Sequence, residues 1–189
     1  MPPTILAFAG STRKASLNDA ALTLAVAGAR NAGATVEHIT LRDFAMPLYD
    51  ADHHHTHGVP EAMLRLREKM LAANGLLIAS PEYNSSITPL LKNTIDWTSQ
   101  SVNGTSGRLP FEGKIIGLMG ASAGAFGTIR ALPHVATILS NLGAIVLPVL
   151  AVPKADHLFT PEGTVADEKT AEKIKSLGVQ VVKFARATR

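Results

Sequence analysis

Five short apolar runs, separated by segments with helical spacing, leave this 189-residue chain few ways to fold. The runs Thr4 to Ala9, Thr35 to Leu41, Gly75 to Ser80, Lys114 to Gly120 and Ala144 to Val149 read as strands. Between and after them, helical patterns cover Leu17 to Asn31, Pro60 to about Ala73, Pro89 to Thr98, Ala125 to Leu142 and Ala166 to Ala187. The last of these places Ile174, Leu177, Val181 and Phe184 on one face. Gly33 closes the first helix as a C-cap, and Pro60 suits the first turn of another. Arg42 to Val59 and Gln100 to Gly113 read as loops. Strands alternating with helices imply an α/β fold: a doubly wound, five-stranded parallel sheet with helices on both faces. No repeat or interdomain linker interrupts the pattern, so one domain over residues 1–189 is expected.

Composition narrows the function classes. The chain has no cysteine, which excludes disulfides, thiolate-bound metal clusters and thiol redox chemistry. Redox work would need an added cofactor. The net charge of +3 comes without a Lys/Arg-rich run and gives no case for nucleic acid. No apolar run reaches the length needed to cross a bilayer, so no membrane partner is expected. Met1-Pro2-Pro3 enters an apolar stretch without a basic leader, and a cytoplasmic location is the expectation.

In such folds ligands bind beyond the carboxyl ends of the strands. Three segments occupy that edge: Gly10 to Asn18, Pro81 to Ile87 and Gly120 to Gly127. The first joins a strand to a helix and carries Ser11, Thr12, Arg13 and Ser16. Free helix N–H groups, hydroxyls and a guanidinium suit a dianionic phosphate monoester. An ordinary Ser16 cap with solvated Arg13 and Lys14 explains the same residues. Neither a P-loop nor a G-x-G-x-x-G fingerprint is present. The second segment is stiffened by Pro81 and Pro89 and carries Tyr83 among polar residues, a wall suited to a flat isoalloxazine ring. A rigid loop whose Tyr83 covers the sheet edge is the alternative.

The third segment, Gly120-Ala121-Ser122-Ala123-Gly124, matches G-x-S-x-G between a strand and a helix, the setting of a hydrolase nucleophile elbow. A hydrolase also needs an acid and a histidine downstream. His134 falls inside the next helix, and Asp156 and His157 are adjacent, so Ser122 lacks a credible relay. Small residues here equally allow a ligand to approach the backbone of Ser122 to Gly124 closely. Arg130 is placed near the start of the next helix, free for a nucleotide phosphate, a neighbouring subunit or solvent. His53, His54, His55 and His57 read as a solvated loop; no metal is assigned to them.

Taken together, Gly10-Ser11-x-Arg13-x-x-Ser16-x-Asn18, Pro81-Glu82-Tyr83-Asn84 and Leu91-Lys92-Asn93-x-Ile95-Asp96-Trp97 resemble the NAD(P)H-dependent FMN reductases, which include quinone, chromate and azobenzene reductases. The resemblance spans nearly the whole chain in element order. It implies a flavodoxin-like α/β/α sandwich with strand order 2-1-3-4-5. It also implies FMN as cofactor, NADPH or NADH as co-substrate, a small-molecule electron acceptor, and a homodimer or tetramer. Ser11, Arg13, Ser16, Leu17 and Asn18 would hold the FMN phosphate. Pro81, Glu82, Tyr83, Asn84 and Ser85, with Ser122, Ala123 and Gly124, would line the ribityl chain and ring. No protein side chain is assigned the chemistry itself. Lys92, Asn93, Asp96 and Trp97 are read as fixing the helix behind the ring. A flavodoxin-type electron carrier lacking a nicotinamide site is the nearest competitor, although such carriers are usually acidic; a serine hydrolase using Ser122 is the other.

Overall fold

A computed structural model describes residues 1–160 and 164–188. Thr4–Ala9 (β1), Thr35–His38 (β2), Gly75–Ala79 (β3), Ile115–Ala121 (β4), Ile145–Val146 (β5) and Leu150–Val152 (β6) form one sheet. All pairings are parallel, in the order β2-β1-β3-β4-β5, with β6 also on β4. In register, Leu6 sits beside Leu76, and Leu76 beside Ile116. This is the expected doubly wound topology.

Side chains alternate across β1 and feed two cores. Ile5, Ala7 and Ala9 face Leu17–Asn31 (α1) and Glu168–Ala187 (α6). Leu6 and Phe8 face Glu61–Ala72 (α3), Pro89–Thr98 (α4) and Ala131–Asn141 (α5). Burying each large side chain contributes about 1.5–3 kcal/mol before chain entropy is counted. On the first face α1 and α6 touch backbone to backbone. A Cβ on Gly28 would strike the Lys175 carbonyl, and one on Gly178 would strike that of Ala25.

Several boundaries differ from the sequence reading. The last strand is split: β5 lies beside Ile115 and Ile116, while β6 lies beside Met119 to Ala121. Pro148 stands between them; it cannot donate to a ladder. The second strand ends at His38 rather than Leu41. Leu41–Phe44 instead winds into a 3₁₀ turn capped by Thr40, whose Oγ1 accepts the Arg42 N–H at 3.3 Å, and Leu41 and Phe44 tuck into the core. The fifth helix starts at Ala131, not Ala125, because Gly127 and Thr128 both hold a left-handed backbone.

The histidine segment is a helix rather than a loop: Ala51–His57 (α2). Asp50 caps it by accepting the His53 N–H at 2.7 Å, and Gly58 ends it at φ +75°. His54 packs edge-on against Tyr49 and Trp97, with ring centroids 6.0 and 5.5 Å away. Among the described residues no group of three or more His, Asp or Glu converges as a metal site. Lys92, Asn93, Asp96 and Trp97 are structural. Lys92 pairs with Asp96 at 2.7 Å, and Asn93 Nδ2 and Trp97 Nε1 both donate to the Pro47 carbonyl. No helix among the described residues is long and apolar enough to cross a membrane.

Candidate active site

The parallel order brings the loops after β1, β3 and β4 to one edge of the sheet, and each is built by local rules. After β1 the chain turns through Ala15, at φ +52°, into α1. Ser16 caps that helix, its Oγ accepting the Asp19 N–H at 3.4 Å. The N–H groups of Leu17 and Asn18, in the first turn, have no intrahelical acceptor. Ser11 Oγ accepts the Arg13 N–H at 3.2 Å, and the Arg13 side chain is solvent-exposed and forms no ion pair among the described residues.

Asn18 is buried and ties this loop to the end of β4. Its Nδ2 donates to the Ala121 carbonyl at 2.8 Å, and its Oδ1 accepts the Ala121 N–H at 2.9 Å. The amide expected to hold a phosphate is therefore engaged by the protein; Asn18 offers the cleft its backbone N–H. Thr88 makes a second tie. Its Oγ1 donates to the Gly10 carbonyl at 3.0 Å while capping α4 through the Leu91 N–H.

After β3, Tyr83 to Ser86 form a tight hairpin with two reciprocal backbone bonds, at 3.1 and 3.0 Å. Asn84 and Ser85 between them sit at φ +50° and +66°, the pattern of a type I′ turn. This places Tyr83, 57 % exposed, at the cleft. Glu82, also at the cleft wall, is engaged by the start of α5. Its carboxylate receives Arg130 Nε at 2.8 Å and Nη2 at 2.5 Å, and also the N–H groups of Arg130 and Ala131 at 3.1 and 3.0 Å. It thus caps the start of α5 as an anion on the positive helix end. Arg130, expected to be free for a phosphate, a neighbouring subunit or solvent, is instead bound to Glu82. Burial pushes the Glu82 carboxyl up, but Arg130 and the Ala131 and Arg130 N–H groups outweigh it and hold it below the ordinary carboxylate range.

The loop after β4 is compressed. Thr128, a β-branched residue, stands at φ +69°, and its buried hydroxyl has no hydrogen-bond partner among the described residues. Such a conformation costs of order 1–3 kcal/mol and persists only where neighbours impose it; here Glu82 fixes the chain just beyond it by accepting the Arg130 and Ala131 N–H groups. Among the described residues Ser122 has no catalytic relay. Its hydroxyl donates to the Gly124 carbonyl at 3.4 Å, His134 Nδ1 lies 3.1 Å from Ser86 Oγ, and His157 faces its neighbour Asp156.

The three loops enclose a cleft of about 220 Å³. Of the residues expected there, Ser11, Arg13, Ser16, Leu17 and Asn18 form one end, and Pro81, Glu82, Tyr83, Ser122 and Ala123 the other. Asn84, Ser85 and Gly124 are not among its walls; the first two sit at the hairpin tip. Ala121 is a wall residue that sequence reasoning missed, and only its position at the end of a strand could have indicated it. A neighbouring concavity of about 390 Å³ shares Ser11, Arg13 and Tyr83 and runs towards Pro89 and Leu90. One end of the cleft therefore offers hydroxyls, helix N–H groups and an unpaired guanidinium. The other offers an aromatic ring, a proline and strand-end backbone. This donor set fits a molecule with a dianion at one end and a flat ring system at the other.

The chain is 39% identical over 174 residues to an NAD(P)H-dependent FMN reductase of Pseudomonas aeruginosa, covering 90% of this chain and 89% of that one. It is 36% identical over 145 residues to a quinone reductase of Escherichia coli, covering 76% and 72%. Among solved structures, the flavoenzyme NAD(P)H:(acceptor) oxidoreductase of Paracoccus denitrificans superposes with a TM-score of 0.82 at 26% identity, covering 98% of both chains. Residues 3–157 match the profile of the NADPH-dependent FMN reductases, and with that match and the sheet order in place, the chain belongs to that family of oxidoreductases.

Proposed function

We propose that the cleft holds FMN and that the protein uses NADPH or NADH to reduce small acceptors: quinones, free flavins, azo compounds or metal oxyanions. The observation that carries this reading is the polarity of the cleft, with an unpaired Arg13 and the start of α1 at one end and Tyr83 and Pro81 at the other. In this reading Ser11, Arg13, Ser16 and the Leu17 and Asn18 N–H groups hold the phosphate. Pro81, Tyr83 and the Ala121 to Ala123 backbone border the ring, with Asn84, Ser85 and Gly124 at its rim. The chemistry that FMN supplies when bound is hydride acceptance from a nicotinamide and onward electron delivery to the acceptor, a ping-pong cycle.

The chain's own contribution is positioning and electrostatics. Glu82 keeps the hairpin and α5 in fixed relation, and Asn18 does the same for α1 and β4. Glu82 is occupied by Arg130, so it is not free to serve as a proton donor; protons for the reduced acceptor come from solvent. An open site without a dedicated acid suits a broad acceptor range. Assembly as a homodimer or tetramer is part of this reading, in keeping with the usual closed symmetric assemblies. We place the reaction in the cytoplasm, where nicotinamide nucleotides are drawn on.

The visible spectrum of the purified protein tests this reading. Bands of bound flavin should bleach on NADPH addition under argon, and NADPH oxidation should continue steadily when a quinone is added. A flavodoxin-type carrier would bind flavin but show almost no such turnover. A protein that binds no flavin when FMN is in excess would overturn the proposal.

A further inference from the structure

A second concavity, of about 290 Å³, lies between the loop after β1 and the Thr40 to Arg42 segment after β2. It shares Ser11, Arg13 and Ser16 with the cleft, so the same loop separates the two spaces. Its charge is unusual. Arg13, Lys14 and Arg42 all line it, and none of them forms an ion pair among the described residues. The acid in its wall, Asp19, is held by His38, with Oδ1 3.0 Å from Nε2. Arg42 is not loose: its Nη2 donates to the Thr12 carbonyl, which anchors one edge of the guanidinium to the loop and leaves other N–H groups unused. Three cations gathered around one hollow repel each other, and an anion drawn from solution relieves that repulsion.

From this geometry we infer that the hollow takes the ribose 2′-phosphate of NADPH and sets a preference for NADPH over NADH. The inference rests on the reading of the cleft as the FMN site. The FMN phosphate has its own partners on the other side of the loop, in the N–H groups that begin α1. A second dianion is needed to occupy Lys14 and Arg42, and the 2′-phosphate is the only group by which NADPH differs from NADH. The two spaces share a wall, so a dinucleotide with its reactive ring over the cleft can cross the loop and lay its far end in the hollow. Guanidinium and ammonium donors with the hydroxyls of Thr12 and Thr40 suit a phosphate monoester.

The test compares FMN-loaded wild type with Lys14→Ala, Arg42→Ala and Arg42→Lys. Each protein is assayed with NADPH and with NADH, its flavin content is measured, and 2′,5′-ADP and 5′-ADP are tried as inhibitors. The expected result is a KM for NADPH raised about tenfold in each alanine variant, as for loss of one charge-assisted contact. KM for NADH should move less than twofold, with partial rescue in Arg42→Lys. The compound 2′,5′-ADP should inhibit wild type more strongly than 5′-ADP, and this advantage should vanish in the variants. If Arg42→Ala fails to fold, Lys14→Ala and the inhibitor pair still decide. An unchanged NADPH-to-NADH ratio in Lys14→Ala, or loss of bound flavin in place of a nucleotide effect, would overturn the inference. If wild type retains no FMN or oxidises neither nucleotide, the reading of the cleft fails instead.

Discussion

Asn18 exchanges two hydrogen bonds with the backbone of Ala121, at 2.8 and 2.9 Å, across 103 residues of sequence. This pair joins the first turn of α1 to the last residue of β4 and so sets the width of the cleft between them. Asn18→Ala would leave the buried N–H and carbonyl of Ala121 unpaired, at about 1–3 kcal/mol for each group. We expect unfolding free energy, measured in urea, to fall by about 2–4 kcal/mol in total. Asn18→Asp keeps the acceptor and loses the donor. It should be of intermediate stability and retain FMN poorly, because it puts a negative charge beside the phosphate.

Arg13 is exposed and has no acidic partner among the described residues, so removing it should not disturb the fold. Arg13→Ala should weaken FMN binding by about 1.5–3 kcal/mol, or roughly tenfold to a hundredfold in Kd, while its melting temperature without flavin stays near wild type. Fluorescence titration with FMN measures this. An unchanged Kd would remove Arg13 from the phosphate site.

The Glu82–Arg130 pair makes stability depend on acidity in a definite direction. The folded carboxyl titrates below its ordinary value of 4.5, so its contribution is fully present above that pH and is lost as pH falls through the depressed folded value. Thermal melts of wild type and Glu82→Gln should therefore differ most near neutrality and converge as the solution is acidified below about pH 4. A constant gap across that window would mean that Glu82 contributes by shape alone.

Gly178 lies where α6 meets the Ala25 carbonyl of α1, with no room for a methyl group. Gly178→Ala should push the two helices apart and cost about 2–3 kcal/mol, against a gain of up to about 1 kcal/mol that the same change brings in an open helix. Chemical denaturation with both circular dichroism and tryptophan fluorescence reads this directly. A stabilised variant would show that the helices can slide to make room.

Ser122 sits in a G-x-S-x-G run, but among the described residues its side chain bonds only the Gly124 carbonyl. Ser122→Ala should change stability by no more than about 0.5 kcal/mol. Quinone reduction should stay within about threefold of wild type, and any trace of ester cleavage should be equal in the two proteins. A selective loss of esterase activity would revive the hydrolase assignment.

The order of elements, the parallel sheet, the three loops at its carboxyl edge and most of the cleft's walls were legible in the sequence. Apolar periodicity reports which face of each segment is buried, and that demand is local. Turn and cap residues are local too: Ser16, Thr88 and Pro89 announce their helices. Pro148 was an available signal for the broken last strand, and Asp50 three residues before His53 for the histidine helix. Their outcome still depended on neighbours, because a seven-residue helix gains little by itself and this one rests on Tyr49 and Trp97. The commitment of Glu82 to Arg130, of Asn18 to Ala121 and of Arg42 to Thr12 was beyond sequence reading. Each joins residues 30 or more positions apart, and each exists only because the crossovers carry successive strand ends to one edge. Chain chemistry decided which groups were present there; the tertiary fold decided which were consumed by the protein and which were left to face a ligand.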